Sequence, residues 1–153
     1  MTKQGVIASG AKQSLGREGI IIHSLGQAIA ALTAAARAGC PALLVSAPNA
    51  GGYVGPGWFK ALTHLAREAA PDARCSSLLD CGDNVGAALA SIRAEVEGII
   101  FTGRLDVARR LAEIAQQHAV RFETNRPAPA LDLAEDFFAS QEEVEKRCAE
   151  YLG

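Results

Sequence analysis

The residues best suited to do chemistry in this chain are Asp80 and Cys81, which follow the apolar pair Leu78 and Leu79 and precede Gly82. A carboxylate can act as an acid, a base or a metal ligand, and a thiol can bind zinc. In parallel α/β folds, ligands bind where the strands end. We therefore expect Asp80 either to face a ligand, as a catalytic acid or base, or to accept hydrogen bonds from loop amides and fix the turn.

A second candidate is the glycine-rich segment from Ser46 to Gly57. Backbone N–H groups in such a loop can bind phosphate or carboxylate at a helix N-terminus, although the segment matches neither of the glycine-rich nucleotide-binding motifs. It is predicted to be either a ligand lid or a flexible turn whose Tyr53 and Trp58 fold over the edge of the domain. The ligand-binding residues predicted here are Ser46, Asn49, Gly51 and Gly52.

The third candidate is the sequence Thr102-Gly103-Arg104, which lies between a predicted strand and its helix. Arg104 can pair with an anion that the amides of this turn hold. It can equally pair with Asp106 or Asp80, and the sequence does not decide between these interpretations. Thr102, Gly103 and Arg104 complete the predicted ligand-binding set.

Five short β-rich runs, each followed by a stretch of helical periodicity, must position these residues. The predicted strands are 19–23, 42–46, 74–79, 98–102 and 120–124. Such alternation predicts parallel strands joined by crossover helices. Three of the strands are apolar at consecutive positions, which is typical of a sheet that is covered on both faces.

The predicted fold is α/β, with five parallel strands alternating with helices in an open three-layer sheet. A partial TIM-barrel-like fragment is the alternative, because five units are too few to close an eight-stranded barrel. Since the carboxyl ends of parallel strands share one edge, Ser46, Asp80 and Thr102 are expected to lie together. Two prolines within 125–129 predict an extended connector, and 132–151 is predicted to be a helix that either completes the helix layer or packs on a partner subunit.

Length and composition indicate one globular domain. The chain has 153 residues, of which 49% are hydrophobic and 21% are charged, and we assign residues 19–153 to a single α/β domain. Residues 1–18 are expected to form a mobile N-terminal segment, because they contain too few apolar side chains to offset the entropy of ordering.

Charge and hydropathy exclude several classes of function. The net charge of -2 and the absence of a basic stripe disfavour a nucleic-acid partner. No apolar run is long enough to span a membrane, and the first nineteen residues do not resemble a secretory signal. We therefore expect a cytoplasmic protein. Its alanine-rich helices leave apolar surface to spare, so a homo-oligomer is also expected.

The four cysteines, Cys40, Cys75, Cys81 and Cys148, contain no CxxC pair. Their spacing excludes zinc-ribbon and thioredoxin motifs. His23, at the end of the first predicted strand, can face the same edge as Asp80, so His23, Asp80 and Cys81 are a chemically possible zinc site. Apart from this possibility, the sequence predicts no cofactor.

Two stretches of the chain resemble class II, metal-dependent fructose-bisphosphate and tagatose-bisphosphate aldolases. In residues 35–53, an alanine-rich helix and a proline precede a strand and a glycine-rich turn; residues 77–84 are similar to the next strand, which in that family ends in His-x-Asp-His. Leu78 stands in place of the first histidine, Asp80 aligns with the catalytic acid, and Cys81 replaces the metal-binding histidine. The resemblance extends over about residues 24–103 and implies an aldolase-like scaffold.

The departures from the family pattern decide the expected function. Class II aldolases place several histidines and a carboxylate around a divalent ion, because a Lewis acid must polarise the carbonyl, and this chain has three histidines in all. We therefore expect a non-catalytic aldolase-like scaffold that binds a small anionic or sugar-phosphate ligand where the strands end. The alternative is a divergent metal-dependent lyase in which Asp80 is the acid or base and Cys81 helps to hold the metal.

Overall fold

A computed structural model describes residues 19–153 as alternating strands and helices; the predicted mobile segment 1–18 lies outside the described residues. The strands are β1 (Gly19–Ile21), β2 (Ala42–Val45), β3 (Cys75–Asp80), β4 (Gly98–Ile100), β5 (Arg121–Glu123) and β6 (Ala130–Asp132). The helices are α1 (Leu25–Ala38), α2 (Ala50–Tyr53), α3 (Gly55–Ala69), α4 (Val85–Arg93), α5 (Leu105–Gln117) and α6 (Gln141–Leu152), with a 3₁₀ turn at Ala134–Asp136. Within this part of the chain, none of the helices combines the length and the apolar character needed to cross a membrane.

The strands form one sheet in the order β5-β4-β3-β2-β1-β6, and every neighbouring pair is parallel. The prediction of an open parallel α/β sheet is therefore confirmed, with six strands in place of five. From β1 to β5 the spatial order follows the chain order, as it does in a (β/α) barrel. The sheet thus has the topology of a barrel that is cut between β5 and β6.

Two apolar clusters pack on the two faces of this sheet. Right-handed crossovers that always advance in the same direction place their helices on one face, and the larger cluster joins alternate strand residues to those helices: Ile20, Leu44, Leu79 and Ile99 with Leu32, Phe59, Ile92 and Leu111. On the other face, the described residues form a small cluster made of strand side chains: Leu43, Val45, Leu78 and Ile100. The chain between β5 and β6 reaches this second face at Pro127, which lies beside Gly19 and near Val45.

The end of the chain departs from the sequence prediction at β6. Residues 130–132 pair with β1 in parallel register, although the helical pattern predicted a helix from residue 132. That helix, α6, begins only at Gln141, after a capping box in which Ser140 and Glu143 bond each other's backbone amides. It packs against α1, which favours the interpretation that the last helix completes the layer of its own domain.

Every long helix begins close to the point where the preceding strand ends. We call this end of the sheet the carboxyl edge, and the end where the strands begin the amino edge. The side chains predicted to do chemistry follow the strands at the carboxyl edge.

Candidate functional site

Asp80, the last residue of β3, is the centre of the hydrogen-bonding network at the carboxyl edge. Its side chain is only 2% exposed, and both oxygens are engaged. Oδ1 accepts hydrogen bonds from the amide N–H groups of Asn49, at 2.9 Å, and Gly82, at 2.7 Å. Oδ2 accepts a charged hydrogen bond from the guanidinium of Arg126. Asp80 therefore joins three segments that are far apart in the sequence.

Ser46 lies beside Asp80 on the neighbouring strand and is fully buried. Its Oγ accepts a hydrogen bond from the Asp80 amide at 2.8 Å and donates one to the Ala47 carbonyl at 3.0 Å. Both roles of the hydroxyl are therefore used inside the protein. Ser46 fixes the start of the loop after β2, and its hydroxyl does not point to an open ligand site.

Asn49, Gly51 and Gly52 continue that loop into the short helix α2. Asn49 adopts a left-handed backbone conformation with φ of 61°, and this conformation turns its amide toward Asp80. A Cβ on Gly51 would lie 2.8 Å from the Cys81 Sγ, and one on Gly52 would lie 2.8 Å from the Asn49 Oδ1. The loop therefore packs closely against the turn after β3 at Gly51.

The turn after β4, at the same edge, contains Thr102, Gly103 and Arg104. The Thr102 amide donates to the Gly82 carbonyl at 2.8 Å, which ties this turn to the turn after β3. Arg104 is largely exposed and holds Asp106 through two hydrogen bonds, from Nε at 3.1 Å and from an Nη at 2.8 Å. Of the partners that the sequence left open, Asp106 is the one that Arg104 contacts.

Arg126 is the residue of this network that the sequence did not predict. It lies on the connector from β5 to β6, and besides bonding Asp80 it donates to the Ser46 carbonyl at 3.3 Å. The connector crosses the sheet because β6 pairs with β1. No sequence pattern predicted that pairing. An arginine next to a proline in a short linker carries no signal by itself.

A hydrogen-bonded pair of side chains, His23 and Asp132, joins the ends of β1 and β6 at the same edge. The Nε2 of His23 lies 2.7 Å from the Oδ1 of Asp132, which also accepts the amide of Ala134 at 2.9 Å. Gln27 supports this pair, because its side chain accepts the His23 amide and donates to the Leu133 carbonyl, both at 2.8 Å. Burial raises the pKa of Asp132, but the bond from His23 and the other donors outweigh it, so the pKa lies below its usual value.

The side chains of the possible zinc site, His23, Asp80 and Cys81, are not arranged to bind a divalent ion. Cys81 belongs to the helix-side core and is fully buried, whereas Asp80 is bonded to Arg126 on the connector. Burial raises the pKa of the Cys81 thiol to about 11, so the thiolate that zinc requires is disfavoured. Within residues 19–153, no group of three His, Cys, Asp or Glu side chains is close enough to hold a metal ion. His23, Asp80 and Cys81 do not converge.

Comparisons with known proteins support the fold alone. No family model matches the chain, and a search of curated proteins finds no significant match. Among solved structures, the chain is similar to a crystal structure from Coccidioides immitis described as a candidate fructose-1,6-bisphosphate aldolase, with a TM-score of 0.59 and 17% identity. The match covers 72% of this chain and 41% of the other. The aldolase-like fold is therefore supported, and this chain corresponds to less than half the length of that structure.

Proposed function

We propose that this protein is a non-catalytic, aldolase-like scaffold that binds a small anionic ligand, sugar phosphates included, at the carboxyl edge of its sheet. The observation that carries the proposal is the environment of Asp80. Two backbone amides and a guanidinium donate to this buried carboxylate, so both of its oxygens are engaged within the chain. The proposal therefore gives Asp80 the role of holding the turn and the connector together.

The start of α5 is the part of the edge best suited to an anion. Of the long helices in the described part of the chain, α1, α4 and α6 begin with a side-chain cap, whereas α3 and α5 do not, and of these two α5 has an arginine at its start. Free amides at a helix N-terminus attract phosphate and carboxylate. Arg104 lies next to these amides, and its pair with Asp106 is solvated, so the guanidinium can turn to an incoming anion at little cost.

Fructose 1,6-bisphosphate is the first ligand to test, because the similar structure from Coccidioides immitis is named for it. Inorganic phosphate and glycerol 3-phosphate separate recognition of the phosphate from recognition of the sugar. Isothermal titration calorimetry on the full chain measures the affinity of each probe. Incubation of the same protein with fructose 1,6-bisphosphate, followed by an assay for triose phosphates, measures cleavage.

We expect binding without cleavage. Arg104→Ala should weaken phosphate binding about 10-fold, because one charge-assisted hydrogen bond is lost. Arg93→Ala is the matched control, since it removes the same charge from an exposed position in the last turn of α4. Equal loss in both variants, or no binding of any probe, would reject the proposed anion site. Cleavage by the wild-type chain that Asp80→Asn abolishes would replace the proposal with the lyase alternative.

A further inference from the structure

An open groove lies at the amino edge of the sheet, on the face that the helices cover. Its volume is about 520 Å³, and it lies between α3, β3 and the turn before β4. Sites for small molecules occupy about 300–1,000 Å³, so the groove has room for one. It is at the opposite edge from the start of α5, and a ligand bound here would leave the proposed anion site open.

The groove exists because the helix-facing side of the sheet becomes polar toward the amino edge. Alternate residues of a strand share a face: on β3, Leu79 packs in the larger apolar cluster, whereas Ser77 and Cys75 line the groove. On the neighbouring strand, Ile99 belongs to the cluster, and Glu97, two residues before it, lines the groove. Large apolar side chains here would bury more apolar surface, so packing alone does not account for the polar ones.

Arg67 and Glu97 form an ion pair in the groove, and both keep hydrogen-bonding capacity to spare. Nη2 of Arg67 lies 2.7 Å from Oε1 of Glu97, and the same oxygen accepts the Ser77 hydroxyl at 3.1 Å. In the part of the chain that the structure describes, no hydrogen bond reaches Oε2 of Glu97 or uses Nε and Nη1 of Arg67. The pair can therefore accept from a cation and donate to an anion at the same time, without separating.

The charges that line the groove are divided between its two walls. The charged lining residues are Lys60, His64 and Arg67 on α3, and Glu95 and Glu97 in the turn before β4. The ring of His64 lies 3.3 Å from Glu68, so its charge, when it is protonated, has a partner outside the groove. Two cations then face two carboxylates. A field of this kind favours a ligand that has both charges over a simple anion or a simple cation.

We propose that this groove binds a free α-amino acid, with its carboxylate on Arg67 and its ammonium group on Glu97. Because these two side chains touch each other, the opposite charges of the ligand must also be adjacent, and in an α-amino acid both groups are attached to the same carbon. Both contacts are charge-assisted hydrogen bonds. Phe59 and Val96 also line the groove and offer an apolar contact to the ligand's side chain, so leucine is the first probe.

Titration of the isotopically labelled full chain with leucine, followed by two-dimensional NMR of the backbone amides, tests the proposal. Leucine should bind with a Kd of about 1 mM or tighter, and the amides of Ser77 and Glu97 should shift. Isocaproate, which lacks the amino group, and isoamylamine, which lacks the carboxylate, should each bind about 10-fold more weakly. β-Homoleucine, in which an extra methylene separates the two charges, should also bind about 10-fold more weakly.

Substitutions in the groove provide the second test. Arg67→Ala and Glu97→Gln should each weaken leucine binding about 10-fold, because each removes one of the two charged contacts. Arg110→Ala and Glu113→Gln make the same changes at exposed positions of α5, and they should leave the Kd unchanged. Arg67 and Glu97 are both partly exposed, so folding should be retained, and the same spectra check this.

A chain that does not bind leucine at about 10 mM would overturn the proposal. Equal affinity for leucine and isocaproate would overturn it as well, since a zwitterion would not then be recognised. Shifts confined to amides outside the groove, or equal losses in the groove variants and their controls, would place the leucine elsewhere and reject the site. Arg104→Ala should leave leucine binding unchanged, so the failure of this proposal and the failure of the anion site are distinguishable.

Discussion

Two carboxylate–arginine pairs, Asp80 with Arg126 at the carboxyl edge and Glu97 with Arg67 at the amino edge, differ in their exposure to water. At the carboxyl edge, Asp80 is 2% exposed and Arg126 covers it. At the amino edge, Arg67 and Glu97 lie 2.7 Å apart and are 41% and 43% exposed. They line an open groove of about 520 Å³ between α3, β3 and the turn before β4. The network around Asp80 is therefore closed to water, whereas an open groove lies at the opposite edge.

The buried pair, Asp80 and Arg126, supports the fold, whereas the exposed pair, Arg67 and Glu97, remains accessible to water. A buried carboxylate that loses a partner leaves the other charge desolvated, which costs several kcal/mol. A solvated pair contributes little, because water and salt already screen it. In α/β folds the carboxyl edge is where ligands bind, but here its central carboxylate is used to fasten the connector. The uncapped first turn of α5 remains accessible to other molecules at that edge.

The strongest test of this comparison replaces each carboxylate by its neutral isostere. Asp80→Asn should destabilise the protein by about 3 kcal/mol, because either orientation of the new amide points its NH₂ group at a donor: the Asn49 and Gly82 amides on one side, or Arg126 on the other. Glu97→Gln should cost less than about 1 kcal/mol. Urea unfolding, followed by circular dichroism, measures both changes.

Equal effects of Asp80→Asn and Glu97→Gln would contradict the comparison. A large loss of stability in Glu97→Gln alone would also contradict it, since the amino-edge pair would then be the one that supports the fold. A cost of about 3 kcal/mol for Arg126→Ala would show that the connector is fastened mainly through Asp80. If Arg126→Ala leaves the free energy of unfolding unchanged, the loop amides are sufficient to hold the Asp80 carboxylate.

The packing of the turn beside Asp80 gives the next largest expected effect. A Cβ on Gly51 would lie 2.8 Å from the buried Cys81 Sγ and 3.2 Å from the Asp80 carbonyl oxygen. Gly51→Ala should therefore cost about 2 kcal/mol, as overpacking of a tight core does. Gly57→Ala is the control: a Cβ there meets nothing within 4 Å, and alanine in a helix should stabilise by up to about 1 kcal/mol. If thermal unfolding gives both changes the same sign, the turn is not closely packed.

The sequence predicted the strands well, because their signal is local. Consecutive apolar residues such as Leu43 and Leu44 indicate a buried parallel strand, and the five predicted strands agree with the observed ones to within two residues at each end. β6 was missed because its sequence, Ala130-Leu131-Asp132, has one large apolar residue and no run of consecutive large apolar residues. The pairing of Ala130 with Gly19 depends on tertiary structure, and a helical periodicity that starts nearby hides it.

The candidate site was predicted only in part, for a similar reason. The strand pattern placed Ser46, Asp80 and Thr102 at one edge, and hydrogen bonds connect the three turns there. Whether Asp80 faces a ligand or fixes a turn depends on which donors reach it. Arg126 is 46 residues away in the sequence, and only the order of the strands brings it close. Spacing along the chain cannot reveal a partner of that kind.

The smallest expected effect concerns Asp132. It lies at the carboxyl edge, as Asp80 does, but its side chain is 53% exposed, which is more than the 43% of Glu97. Burial raises its pKa, and the bonds from His23 and Ala134 lower it further than burial raises it, so the net pKa is below the ordinary 3.8. A depressed carboxyl pKa stabilises the fold above the ordinary value, and this stability is lost as the pH falls through the folded-state value.

Asp132→Asn should therefore be less stable than the wild type by under about 1 kcal/mol above about pH 5, and the difference should narrow as the pH falls below the ordinary 3.8. Urea unfolding at intervals from about pH 5 to about pH 2 measures it. Glu113→Gln, at an exposed position on α5, controls for the change in net charge. A difference that stays constant down to the lowest pH would mean that Asp132 acts through shape rather than charge. A difference as large as that of Asp80→Asn would mean that exposure does not distinguish the carboxylates of this protein, and the contrast between its two edges would fail.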